Sequence, residues 1–201
     1  SPPRFRPEVP AMSELRPVRI AGRPTTTPDV LEVRSPYDDH LIATVPRCGP
    51  EHVQEAVAVA KARLAEPLAA WERAEVLERA AVVVAEHRDE LAEIIAEEAA
   101  KPIKTARAEA ERAVLTFTFA AVEARSLTGE IIPMDAAAPG AGKLGFSLRV
   151  PRGVVAAISP FNFPLNLVAH KLAPAIAAGC PVVLKPASQT PLSAIRLHEL
   201  L

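Results

Sequence analysis

Residues 150–201 read VPRGVVAAISPFNFPLNLVAHKLAPAIAAGCPVVLKPASQTPLSAIRLHELL, and the fold turns on them. Val154–Ile158 is a short apolar run of the kind that forms a buried strand, and Leu165–Ala178 is a helix stopped by Gly179. Val182–Leu184 is a second strand, after which Thr190 as N-cap and Pro191 in the first turn start a last helix. Two apolar strands joined by a helix of this length form a right-handed crossover with parallel strands. This third of the chain is therefore expected to be a piece of an open α/β sheet.

In such a sheet, ligands bind beyond the carboxyl ends of the strands. The loop SPFNFP (159–164) leaves the first strand at that end, and KPAS (185–188) leaves the second beside it. Asn162 and Lys185 thus project from neighbouring loops. An amide donor and a cation there can serve an oxyanion and a phosphate or ribose. The plainer alternative is that Asn162 holds a proline-rich turn together and Lys185 is a solvated loop charge.

Working outward, proline divides the chain. Ten of its 21 prolines fall in residues 1–50, two in 51–132 and nine in 133–201, so long helices belong in the middle. There, Val53, Val57, Ala60 and Leu64 recur at helical spacing. A second pattern runs from Val76 to Ile95 with a break near His87-Arg88-Asp89, and a third helix covers about 103–127. Their glutamates and arginines read as solvated faces. Upstream, LEVRS (31–35) and LIATV (41–45) alternate around Pro36–Asp39 as a β-hairpin. The opening SPPRFRPEVPAM, with four prolines in twelve residues, reads as an unstructured leader in which Met12 is a candidate natural start. From Gly129 to Val150 the pieces EIIPM and GFSLRV are extended and joined by small residues. Within that joint, GAGKLG (140–145) spells G-x-G-x-x-G, but no strand precedes it and no helix opens from it, so it reads as a turn.

The net charge of −1 over 201 residues and a pI near 6.5 exclude a strongly basic surface, so nothing points to nucleic acid or an anionic membrane. Residues 133–201 nevertheless carry six Lys/Arg against two Asp/Glu, which makes them the part suited to an anionic ligand. Cys48 and Cys180 sit in no metal-ligand spacing, so no metal site is expected, and a reduced, cytoplasmic location fits.

The segment closely resembles the start of the cofactor domain of the NAD(P)-dependent aldehyde dehydrogenase superfamily. The resemblance is carried in order and spacing by Gly153–Ile158, Pro160–Pro164, Lys171–Gly179 and Val182–Pro191, with weaker support from AKP (100–102) and LTGEIIP (127–133). It runs from about residue 20 to the end. The implied fold class is α/β, the N-terminal part of an aldehyde dehydrogenase-like fold: an open parallel Rossmann-like sheet with helices and oligomerisation β-strands. Residues 1–19 would be a leader, 20–128 the hairpin and helical part, 129–150 the oligomerisation strands, and 151–201 the first βαβ unit of the NAD(P)-binding domain.

The resemblance implies oxidation of an aldehyde to a carboxylic acid with NAD or NADP through a cysteine thiohemiacetal, in a homo-oligomer. Asn162 would donate its side-chain amide to the oxygen of the tetrahedral adduct, with Lys171 supporting the electrostatics of the site. Ile158, Ser159, Pro160 and Phe161 would line the cofactor groove, and Lys185 would contact the ribose. Ser188 stands where NAD-preferring members often carry a glutamate, so NADP is expected to be tolerated. Phe163, Asn166, Leu167 and His170, at i, i+3, i+4 and i+7, would line the aldehyde tunnel, and Asn166 and His170 favour a small or polar, oxygenated aldehyde.

Cys180 is read as a buried small hydrophobe and Cys48 as no nucleophile; the resemblance implies that the catalytic cysteine and the glutamate base lie beyond Leu201. Standing alone, the chain would leave sheet edges unpaired and be prone to aggregate. Two alternatives stay open: an inactive fragment acting at most as a nucleotide-binding or assembly module, and a related reductase acting on acyl phosphates.

Overall fold

The computed structural model describes residues 15–201. In chain order it places strands β1 (Val18–Ile20), β2 (Arg23–Thr25), β3 (Val30–Arg34) and β4 (Leu41–Pro46), then helices α1 (Pro50–Leu64), α2 (Ala70–Glu86), α3 (Arg88–Ala99) and α4 (Ile103–Ser126). There follow β5 (Ile131–Ile132), β6 (Gly145–Phe146), β7 (Val155–Ile158), α5 (Asn166–Ala177), β8 (Val182–Lys185) and α6 (Leu192–Leu200). The hairpin β3–β4 is antiparallel, and α2 and α3 are separated at His87, where the sequence anticipates the break. The leader expected over 1–19 lies outside the described residues up to 14. Beyond that the chain is already paired: Leu15 bridges to Thr44 and β1 begins at Val18.

The main core lies between α2, α3 and α4 on one side and α5 and α6 on the other. Leu77, Val84, Leu91, Ile95, Phe117, Leu165, Val168 and Leu197 are buried there. The inward face of α4 is nearly all alanine (Ala106, Ala110, Ala113, Ala120, Ala121 and Ala124), which lets neighbouring backbones approach closely. A smaller cluster of Val33, Ile42, Ala43 and Val45 closes the hairpin over Leu192. His40 fastens the hairpin tip to α3: its ring lies between Asp38 and the Glu97 carboxylate, 2.5 Å from the latter. The hydrogen bond with Asp38, followed by that with Glu97, holds this imidazole above its ordinary value.

β5 and β6 pair antiparallel, and GAGKLG forms part of the turn between them. Gly140 is required there, since a Cβ would fall 1.7 Å from the Met134 carbonyl oxygen. The parallel pair β7–β8, crossed over by α5, carries the loops of interest.

Candidate active site

β7 and β8 end side by side. Ile158 lies opposite Lys185 in the register, and the Ser159 N–H donates to the Lys185 carbonyl across 3.2 Å. The loops that follow are further joined by the Thr190 hydroxyl, which donates to the Phe161 carbonyl at 3.4 Å. Thr190 is therefore not the cap of the last helix, as its place in the sequence suggested. Its side chain is drawn across to the first loop, and the N-terminus of α6 is capped from elsewhere.

Asn162 is exposed, and its side-chain amide makes no hydrogen bond among the described residues. Ile158, Pro160 and Phe161 are exposed along the same rim, while Ser159 is buried beneath it with its N–H already engaged. Lys185 Nζ lies 3.4 Å from the Ser188 hydroxyl, both side chains facing solvent. A cation and a hydroxyl at the carboxyl end of a parallel strand suit a ribose or a phosphate, so these residues fit the nucleotide that the fold family implies.

Behind the first loop, two glutamates that the sequence suggests are solvated are instead buried, each 1% exposed. Glu109 of α4 accepts the N–H groups of Leu165 (3.0 Å) and Asn166 (3.1 Å) on one oxygen. Its other oxygen accepts the Lys101 ammonium at 2.6 Å. That ammonium also stands 3.9 Å over the Phe163 ring. Glu98 of α3 accepts the N–H groups of Leu192 (2.7 Å) and Ser193 (3.0 Å) and the Ser193 hydroxyl, and so caps α6. Burial pushes the Glu98 carboxyl up to about 7, with Glu109 adding to the rise and the three hydrogen bonds from Ser193 and Leu192 opposing it.

The four residues read as a tunnel face behave differently from one another. Phe163 precedes the helix and meets Lys101. Asn166 is 2% exposed, and its Oδ1 accepts the Thr116 hydroxyl at 3.2 Å. His170 is exposed with Nε2 3.4 Å from that same hydroxyl, and Leu167 is half-buried. Thr116 thus joins Asn166 to His170, and one turn earlier on α4 the Arg112 guanidinium lies 5.8 Å from the Phe163 ring without a carboxylate partner among the described residues. Lys171 is half-buried on α5 and makes no hydrogen bond or ion pair among the described residues.

Sequence reading misses Lys101, Glu98, Glu109, Arg112 and Thr116. A signal existed for the glutamates: Glu98 follows Leu91 and Ile95 on the apolar stripe of α3, and Glu109 falls between Ala106 and Ala113 on that of α4. Neither cysteine suits a nucleophile. Cys180 is buried, and the exposed Cys48 has its thiol pushed up by partial desolvation and by Glu51.

The aldehyde dehydrogenase family model matches residues 23–201, nearly the whole chain. The chain belongs to the aldehyde dehydrogenase family. It is 43% identical over 182 residues to the 3-sulfolactaldehyde dehydrogenase of Priestia aryabhattai, a match covering 90% of this chain and 38% of that enzyme. Aldehyde dehydrogenase 21 of Physcomitrella patens, solved with its product succinate, superposes with a TM-score of 0.87 at 41% identity, over 94% of this chain and 40% of that one. The NADP-dependent glyceraldehyde-3-phosphate dehydrogenase of Bacillus halodurans, complexed with NADP, gives 0.88 at 33% identity, over 92% of this chain and 40% of that one. The chain thus spans about two fifths of the length of the relatives it matches. Their likeness establishes the α/β aldehyde dehydrogenase-like fold described above.

Proposed function

We propose that these residues form the N-terminal part of an NAD(P)-dependent aldehyde dehydrogenase and supply its oxyanion donor. The observation that carries this is Asn162: an exposed amide without a hydrogen-bond partner among the described residues, between two neighbours that are each held, at the carboxyl end of β7. A donor fixed before the reaction stabilises a developing alkoxide without reorganising, which is how such groups accelerate addition to a carbonyl. Asn162 donates to the aldehyde oxygen as a thiolate from elsewhere in the enzyme adds to the carbonyl carbon. Lys185 and Ser188 hold the ribose end of the nucleotide, and Ile158, Ser159, Pro160 and Phe161 form the wall beside it. When bound, NAD or NADP would supply the acceptor for the hydride that leaves the adduct carbon. Water, activated by a base outside these residues, then releases the carboxylic acid. Ser188 presents no negative charge to a 2′-phosphate, so NADP is accepted.

The substrate is a short, oxygenated aldehyde. His170 presents a polar group along the expected tunnel, Asn166 lying buried behind it and reaching it only through Thr116; Leu167 and Phe163 give the tunnel walls, and Arg112 offers a cation to a substrate bearing an acidic end. Substrates named for relatives, 3-sulfolactaldehyde and glyceraldehyde 3-phosphate, are of this class. Lys171 contributes positive potential. A homo-oligomer built through β5 and β6, whose Ile131 and Phe146 are largely exposed, accords with the family resemblance.

The test is to express the open reading frame that encodes these residues and to follow NAD(P)H formation with a panel of aldehydes. Turnover with polar short aldehydes, reduced roughly 10²–10³-fold in Asn162→Ala, is the expected result. Preference for long aliphatic aldehydes would refute the substrate reading. Absence of turnover with every aldehyde, together with retained nucleotide binding, would refute the dehydrogenase reading and leave an inactive nucleotide-binding module.

A further inference from the structure

We propose that Lys101 is a positioning residue for Asn162, acting through Phe163 and the Glu109 carboxylate. The inference rests on the dehydrogenase reading of Asn162. The five residues 162–166 are gripped from one direction. The Lys101 ammonium stands 3.9 Å over the ring of Phe163, the residue after Asn162, and is bound at 2.6 Å to Glu109. The other oxygen of Glu109 takes the N–H groups of Leu165 and Asn166, which open α5. Lys101 keeps only 16% of its side chain exposed and Glu109 1%, so the pair operates where water competes little.

The geometry separates two tasks. Glu109 fixes the first turn of α5 by hydrogen bonds and anchors the ammonium. Lys101 is the nearer of two cations at the residue after Asn162, the Arg112 guanidinium standing 5.8 Å from the same ring, and a cation held over the face of Phe163 resists both translation and tilting of that ring. Since Asn162 has no hydrogen bond of its own among the described residues, the backbone that carries its amide is held through its neighbours. Phe161 on the other side is fixed through its carbonyl by Thr190. The sequence AKP (100–102), a weaker part of the family resemblance and without a part in the chemistry above, thereby acquires a role.

The test uses the enzyme expressed from the whole reading frame. Lys101→Met keeps a stem of similar length and leaves Glu109 its two N–H donors, whereas Glu109→Gln disturbs the helix start and is the less informative variant. In Lys101→Met, kcat should fall about tenfold or more, as a displaced reacting group requires, with KM for the nucleotide within about twofold. Amide exchange across residues 161–167 should accelerate. Lys101→Arg, which retains a cation able to sit over the ring, should restore kcat to within about threefold of wild type. Unchanged kcat in Lys101→Met overturns the proposal, as do equal losses in kcat and KM in both variants. If the wild type turns over no aldehyde, the dehydrogenase reading fails on its own. The exchange comparison then decides the contact: acceleration in Lys101→Met supports it and unchanged exchange overturns it.

Discussion

Glu98 and Glu109 occupy equivalent places on two successive helices of the same layer, and they are built differently. Each leaves the apolar face of a helix in the helical layer, and each caps a helix that follows a strand of the parallel pair. Glu109 meets a cation, Lys101, and its helix follows the Asn162 loop. Glu98 meets only N–H groups and the Ser193 hydroxyl, and its helix follows the Lys185 loop. One is a buried ion pair and the other a buried acid that titrates near neutrality. A carboxylate facing backbone donors is thus not one device but two, depending on whether a cation shares the site.

Removing the carboxylate should expose this difference most sharply. Glu109→Ala strands a largely buried ammonium and two N–H groups and should cost about 3–5 kcal/mol, against about 1–3 kcal/mol for Glu98→Ala. Urea unfolding of both variants measures this, and equal losses would break the distinction.

A second difference concerns pH. The Glu98 carboxyl binds its proton more tightly in the folded chain, at about 7, than unfolded, at 4.5. Its favourable contribution is therefore complete below about pH 4.5 and is lost as pH rises through 7, a span of roughly 3 kcal/mol at most. Unfolding free energies at about pH 5 and pH 8 should fall accordingly in the wild type, and Glu98→Gln should flatten that slope. A slope unaltered by Glu98→Gln would assign the titration elsewhere, His40 included.

Smaller effects refine the picture. Ser193→Ala removes one of the three hydrogen bonds to Glu98 and should cost about 1 kcal/mol by thermal denaturation, most visibly at high pH where the carboxylate is charged. Smallest of all, Ala100 sits between the two devices in the left-handed region, φ 48°, where a Cβ is disfavoured. Ala100→Gly should stabilise by about 0.5–1 kcal/mol, and a loss instead would mean that the extra freedom of glycine in the unfolded chain dominates.

Much of this architecture is legible in residue order. Apolar periodicity places α1 to α4 within a few residues of their observed limits, and the pairing of β7 with β8 follows from two apolar runs flanking a helix. Charge is what misleads. A glutamate is costly to bury alone, so solvated faces are the economical reading of a charged helix, and that reading fails where distant N–H groups and Lys101 converge on the side chain. Those partners are 94 and 95 residues away from Glu98 and 56 and 57 from Glu109, separations that no local pattern reports. Thr190 errs for the same reason: the Phe161 carbonyl that draws its hydroxyl away from the helix start lies 29 residues upstream.

The corner between α3 and α4 spans only Ala100, Lys101 and Pro102, with Glu98 two residues before it and Lys101 within it. Both attachments to the sheet loops therefore hang from a segment whose length has no slack. Inserting or deleting one residue there would have to be absorbed within three residues, which would move Lys101 off the Glu109 carboxylate and the Phe163 ring. This connection should tolerate a substitution at Ala100, but neither a change of length nor the loss of Lys101.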